Sequence, residues 1–277
     1  MARRVPLPES KLKRRKRVMR TRLAIAGAVG LFVLAGAVVG LSWVPYIRIH
    51  AIEVTGAETL STSIIEDFAS AKLAGRNLFV FPRNSIFAYP KKEISSGLLA
   101  EYPQLSAVNV RAENFETIGI ELTERHPAAL WCESGGSCRL MDETGFVYAP
   151  DLLLDAPAFV RYAGEATTTR SYTAKVEPLQ YLTPQEFKSL AALVAALDAN
   201  QTDATIDEAD VDQNGDVHAH FSNGFTLIFA LKDASGDVFE RFTLALASQP
   251  FLNKSLSDFE YLDLRFGDKL YYREKAK

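Results

Sequence analysis

From Leu23 to Val44 the chain lacks every charged residue, and also Asn, Gln and His. As a helix this stretch is ~33 Å long, enough to cross the ~30 Å hydrocarbon core of a bilayer. A backbone in lipid must satisfy its own hydrogen bonds, so the segment is predicted to be helical. Histidine is also scarce, with four in the chain, and cysteine scarcer, with two. A catalytic zinc site needs three protein ligands. His218 and His220 share one face of a predicted strand, but His50 and His126 fall in or at the edge of a different part of the chain, so all four read as surface residues. There is no P-loop and no G-x-G-x-x-G, and Ser134-Gly135-Gly136-Ser137 is not a nucleophile elbow. Asp210-x-Asp212-x-Asn214-Gly215 opens like a calcium loop, yet the twelfth position, where a bidentate acid belongs, is Phe221. Nothing points to the carboxylate pair of a glycosidase. The expectation is a non-enzymatic protein with no cofactor and no metal.

Charge is distributed unevenly. Arg3, Arg4, Lys11, Lys13, Arg14, Arg15, Lys16, Arg17, Arg20 and Arg22 precede the uncharged span, opposed only by Glu9, while the remainder is acidic, with 21 basic against 33 acidic residues. Basic flanks stay cytoplasmic, so residues 1–22 are expected inside and the chain beyond the span outside. The alternative is a cleaved signal peptide, since Ala35-Gly36-Ala37 resembles a cleavage site. The apolar run continues to Val44, which favours an uncleaved anchor. The basic cluster then serves topology and contact with anionic headgroups of the lipid bilayer rather than nucleic acid. Gly36-x-x-x-Gly40 allows a weak self-association through the transmembrane helix. Cys132 and Cys138 fall on the exported side, flank a Gly135-Gly136 turn, and are expected to form a disulfide; the alternative is two reduced thiols.

After Pro45, which cannot continue a helix, alternation predicts a strand over Ile47–Val54. Ser63-Ile64-Ile65-Glu66 has the pattern of a capping box and starts a helix closed by Gly75. A second helix spans Lys91–Glu101, and strands follow at Leu105–Arg111 and Thr117–Thr123. The order is β-α-α-β-β. Beyond it, strands are predicted at Ala128–Cys132, Cys138–Met141 and Phe146–Ala149, with Trp131, Leu140, Phe146 and Tyr148 on the packed face. Ala156–Arg161 reads as a strand and Ala163-Gly164 as a turn, followed by a polar loop over Ala166–Arg170. Thr183-Pro184-Gln185-Glu186 is a strong helix start. Strands over Thr205–Asp212, Asp216–Phe221 and Phe225–Leu231 are joined by Asn214-Gly215 and Asn223-Gly224 hairpins. A helix over Val238–Ser248 and strands over Glu260–Phe266 and Lys269–Arg273 complete the chain.

Several strings in this order carry a resemblance. Val54-x-Gly56, Gly75-x-Asn77-Leu78-Phe79, Tyr102-Pro103, Val108-x-Val110 and Ile118-x-Ile120-x-Leu122-x-Glu124-Arg125-x-Pro127 resemble a POTRA domain. Placed directly after one membrane span, with Leu140-Met141-Asp142-Glu143-x-Gly145 and Tyr261-Leu262-Asp263-Leu264-Arg265-Phe266 further on, they make the chain similar to the cell-division family FtsQ/DivIB. The implied fold class is α+β: a single N-terminal transmembrane helix, a β-α-α-β-β POTRA domain, then a mixed, mostly antiparallel β domain with flanking helices. The expected division is a basic tail 1–22, the span 23–44, a POTRA domain 45–125, an FtsQ-type β domain 126–273 and a tail 274–277.

The resemblance implies a bitopic cell-membrane scaffold of the bacterial divisome, at the septum, that regulates septal peptidoglycan synthesis through protein–protein contacts. Its implied partners are FtsB/DivIC-like and FtsL-like coiled-coil membrane proteins. The alternative is a POTRA-containing adaptor for protein translocation or envelope assembly. In the family the C-terminal strands bind the FtsB/DivIC partner, and Arg265 and Phe266 match its contact string. Lys269 opens the last predicted strand, and Tyr271 and Tyr272 on it are suited to aromatic anchoring. Arg265→Glu or Tyr272→Glu is expected to abolish capture while leaving the domain folded.

Overall fold

A computed structural model describes residues 11–41, 45–77, 81–133, 137–150, 159–165, 177–201, 203–252 and 254–276. It is a mixed α+β protein with one long apolar helix near the N-terminus and a large mixed sheet. The helix, α1, runs Lys11–Leu41. Its stretch Lys16–Ala37 is long and apolar enough to cross a membrane, and none of that stretch is buried. Residues 42–44 of the expected span lie outside the described residues. So do the Gly135-Gly136 turn, the first half of the strand expected over Ala156–Arg161, and the loop over Ala166–Arg170.

The chain divides into two compact units, one comprising residues up to Ser96 with Val108–Leu122, the other Gly97–Ala107 with Thr123 onward. The strand expected from Ile47 begins later: Pro45–Ile47 form a 3-10 turn and β1 covers Ala51–Thr55. The helix α2 spans Thr62–Leu73 and buries Ile65, Ala69 and Leu73. Its N-cap is Ser61, with no side-chain cap bond, and Ser63 lies inside the first turn, where its hydroxyl meets that of Ser61. The expected capping box is therefore absent. Two short strands, β2 (Arg76–Asn77) and β3 (Phe81–Pro82), pair with each other. The helix α3 spans Lys91–Glu101, with Ile94 and Leu98 buried. Then come β4 (Leu105–Ala112) and β5 (Thr117–Glu124). They form a three-stranded sheet in the order β1-β5-β4, with β1 parallel to β5 and Ala51 opposite Thr117.

Among the described residues the second sheet has ten strands. Its members are β6 (Ala129–Cys132), β7 (Cys138–Met141), β8 (Phe146–Pro150), β9 (Arg161–Gly164), β10 (Leu179–Gln180), β11 (Ile206–Val211), β12 (Asp216–Phe221), β13 (Thr226–Ala230), β14 (Phe259–Phe266) and β15 (Lys269–Glu274). Their spatial order is β10-β8-β7-β6-β9-β11-β12-β13-β14-β15. Most neighbours are antiparallel; β6–β9, β9–β11 and β13–β14 are parallel. Ala163-Gly164 is thus strand, not turn. Gly164 sits at φ 122°, and a Cβ there would lie 2.3 Å from the Val211 carbonyl oxygen, so the close pairing of β9 with β11 requires glycine.

Two helices accompany this sheet, α4 (Pro184–Ala199) and α5 (Val238–Leu246). Thr183 caps α4 through a reciprocal box with Glu186, and Pro184 takes the first helical position. Phe187, Leu190, Leu193, Val194 and Leu197 of α4 and Val238, Phe242 and Ala245 of α5 join one core with Met141, Val147, Tyr162, Ala209, Val217, Leu227, Phe229, Leu262 and Leu264. Strand alternation puts Trp131, Met141 and Val147 on this face. Phe146 and Tyr148 are buried on the other face, where the Arg125 guanidinium lies 4.0 Å from the Phe146 ring centre and the Tyr148 hydroxyl donates to the Arg125 carbonyl. The four residues expected on one face are thereby split between two. Burial, with the Asp142 carboxylate adding to it, pushes the Tyr148 phenol up to about 12.

Candidate protein-docking edge

The last hairpin of the chain supplies one border of the large sheet. β14 pairs with β13 on one side and β15 on the other, and β15 has no further neighbour among the described strands. An edge strand presents backbone N–H and C=O groups to solvent. Every residue of β15 except Leu270 is exposed. The pairs Tyr261–Arg273, Leu262–Tyr272, Asp263–Tyr271 and Phe266–Lys269 set the register, which shifts between Asp263 and Phe266.

All five residues expected to bind a partner, Arg265, Phe266, Lys269, Tyr271 and Tyr272, lie on this hairpin, but their roles differ. Phe266 is 53% and Tyr271 52% exposed. Their rings meet edge to face, with centroids 5.1 Å apart, and form an apolar knob on the edge. Tyr272 is half committed to the core: its ring packs edge-on against Phe251 at 5.4 Å and Phe259 at 5.9 Å. A charge there disturbs packing as well as the surface. Lys269 is exposed.

Arg265 is occupied. Its Nε and Nη2 donate to the two oxygens of Asp263 at 2.9 and 2.7 Å, and Nη1 donates to Asp216 at 2.5 Å. Asp263 is only 5% exposed. Burial pushes its carboxyl upward, but the hydrogen bonds and charge of Arg265 outweigh that and hold it below the ordinary carboxylate range. The same two acids raise the Arg265 pKa. Arg265→Glu would place three carboxylates together, so it perturbs folding and cannot report on docking alone.

On the helix side, α5 approaches the same turn. Arg241 Nη2 donates to the Leu264 carbonyl and, at 2.7 Å, to the Gly267 carbonyl. A cleft of about 420 Å³ opens there between Asp237, Leu244 and Ser248 of the α5 region and Gly267–Leu270. Neither Arg241 nor Asp216 carried a sequence signal. Asp216 lies 49 residues from Arg265, and only the pairing of β12, β13 and β14 brings them together.

Cys132 and Cys138 are directly opposite each other on β6 and β7 and are joined as a disulfide, with Cα atoms 4.1 Å apart. They are not part of the edge: β6 is six strands from β15, roughly 29 Å at ordinary strand spacing. His218 and His220 lie side by side on β12, rings 6.5 Å apart. Among the described residues no three His, Cys, Asp or Glu side chains converge on a metal-sized site. Asp212 turns its Oδ1 onto the backbone N–H groups of Asn214 and Asp216, so it serves the hairpin.

No family model and no curated protein matches the chain.

Proposed function

We propose that the chain is a membrane-anchored scaffold of the FtsQ/DivIB kind, whose second unit captures an extended segment of an FtsB/DivIC-like protein along β15. The observation that carries this reading is the open edge of β15, flanked by the exposed Phe266–Tyr271 pair. Backbone pairing at such an edge supplies affinity, and pockets for alternate side chains supply selectivity. The order β1-α2-β2-β3-α3-β4-β5, a β-α-α-β-β frame with the short β2–β3 pair between its helices, and the parallel β1 and β5 support reading the first unit as a POTRA domain. The apolar helix α1 supports a single-pass anchor with the basic flank cytoplasmic. Through such capture the scaffold would bring FtsB/DivIC-like and FtsL-like proteins to the septum and so regulate wall synthesis, without chemistry of its own.

The test pairs localisation with capture. A fluorescent fusion should form a mid-cell band, and Tyr271→Glu should lose capture of the FtsB/DivIC-like protein while melting as wild type does. Uniform membrane fluorescence would instead favour the translocation or envelope-assembly adaptor. Capture unchanged in Tyr271→Glu and Phe266→Glu would place the interface elsewhere.

A further inference from the structure

We infer that Arg241 is a positioning residue, a two-point clamp from α5 that holds the β14–β15 turn and thereby fixes β15 in docking geometry. This rests on the edge reading above. Among the described strands β15 has a ladder to β14 alone; Tyr272, packed on Phe251 and Phe259, and Glu274, bound by Lys254, anchor its far end, so it is the near end, next to the turn, that depends on the hairpin. The β14–β15 register shifts twice, between Phe259 and Tyr261 and, next to the turn, between Asp263 and Phe266. A bulge leaves the ladder locally incomplete. One guanidinium nitrogen of Arg241 bonds the carbonyls of Leu264 and Gly267, which bracket the end of β14 and its turn.

The clamp has a firm base. α5 is seated by buried Val238, Phe242 and Ala245, and Asp237, one turn earlier, lies 3.7 Å from the other guanidinium nitrogen. The Arg241 side chain is itself mostly buried, at 20% exposure. Arg265 holds the same stretch from its side chains, through Asp263 and Asp216. Arg265 therefore fixes the strand's side chains, while Arg241 fixes its backbone. An ammonium at this place has donors for both carbonyls, as Nη2 does, but no second nitrogen to lie beside Asp237, so lysine replaces Arg241 only in part.

The test is hydrogen exchange on the full chain in lipid nanodiscs, for wild type, Arg241→Met and Arg241→Lys. Loss of a charged hydrogen-bond donor should speed amide exchange by roughly tenfold to a hundredfold in Arg241→Met, concentrated over Gly267–Tyr271, with α5 and β11–β13 still protected and the melting temperature lowered by roughly 3–11 °C. Arg241→Lys should fall between the two. Unchanged exchange in β15 overturns the clamp. A rise spread evenly over β11–β15 also overturns it, since Arg241 would then be holding the fold in general. Exchange in Arg241→Lys as fast as in Arg241→Met also overturns it, since an ammonium keeps donors for both carbonyls. A labelled peptide from the exported tail of the FtsB/DivIC-like protein should leave Arg241→Met faster than wild type. If wild type does not bind that peptide, the partner reading fails, and the exchange data still decide the clamp.

Discussion

Replacing Arg265 with alanine removes three side-chain hydrogen bonds at once and leaves Asp263 and Asp216 facing each other without their cation. Asp263 is the costly one, because its side chain is 7% exposed against 18% for Asp216 and 31% for Arg265. Breaking a fully buried pair costs about 3–5 kcal/mol. Partial exposure of the arginine places this case near the lower bound, about 3 kcal/mol, which for a unit of this size lowers the melting temperature by roughly 6–12 °C. The pH dependence carries a sign. In the wild type the Asp263 carboxyl is depressed, so its contribution is present above the unfolded value of about 4 and is lost as pH falls through the lower folded one. In Arg265→Ala burial is opposed only by the backbone N–H of residue 265 and by His218, so the carboxyl rises relative to the wild type and acid relieves the penalty. The gap between variant and wild type should therefore narrow between pH 7 and pH 3. Buried Trp131 gives a fluorescence readout in the same unit. Melts within about 2 °C of each other at pH 7, or a gap that widens in acid, would refute the argument.

Thr183→Ala removes the capping box of α4 and should cost about 1 kcal/mol, read as a lower urea midpoint with unchanged slope. Reducing the Cys132–Cys138 disulfide opens a short loop and should cost about 2 kcal/mol on the loop-entropy model; melts with and without reductant measure it, and capture at β15 should not change. Asp142 accepts from the Thr144 and Phe146 backbone N–H groups and pairs with Arg125, so Asp142→Ala should cost about 3 kcal/mol. Asp142→Asn keeps an acceptor for the turn and should cost less in the same denaturation series.

What was legible in the sequence was local chemistry. Thr183-Pro184-Gln185-Glu186 announced α4, and Asn214-Gly215 and Asn223-Gly224 announced two hairpins whose glycines adopt φ of 79° and 80°. These signals act within a few residues. The capping pattern at Ser63 failed because the true cap lies two residues earlier, at Ser61. The packed face of β8 was misread because Val147 faces the helices while Phe146 and Tyr148 are buried beneath Arg125. Both faces are apolar, so alternation alone cannot assign them. At the candidate edge, the exposure of Tyr271 followed from its strand, but the occupation of Arg265 did not. Its partner Asp216 arrives through two intervening strand pairings that no short motif encodes. Arg241 was invisible for the same reason, since its acceptors are backbone carbonyls 23 and 26 residues away.

The placement of β9 bears on how the large sheet comes together in time. On one side β6, β7 and β8 form a meander of adjacent segments, and on the other β11, β12 and β13 form a second. Each can assemble from near neighbours, which is fast. The four residues of β9 are parallel to both β6 and β11, so neither contact can be made by a simple hairpin. The two halves become one sheet only when this strand is seated, with Tyr162 driven against Tyr181 and Phe187. Joining thus rests on non-local pairings, which carry a larger loop-closure cost than either meander. The border at β15 belongs wholly to the C-terminal half. It can be ordered before the seam closes and can outlast its opening, so a bound partner would stabilise one half of the sheet without having to hold the other.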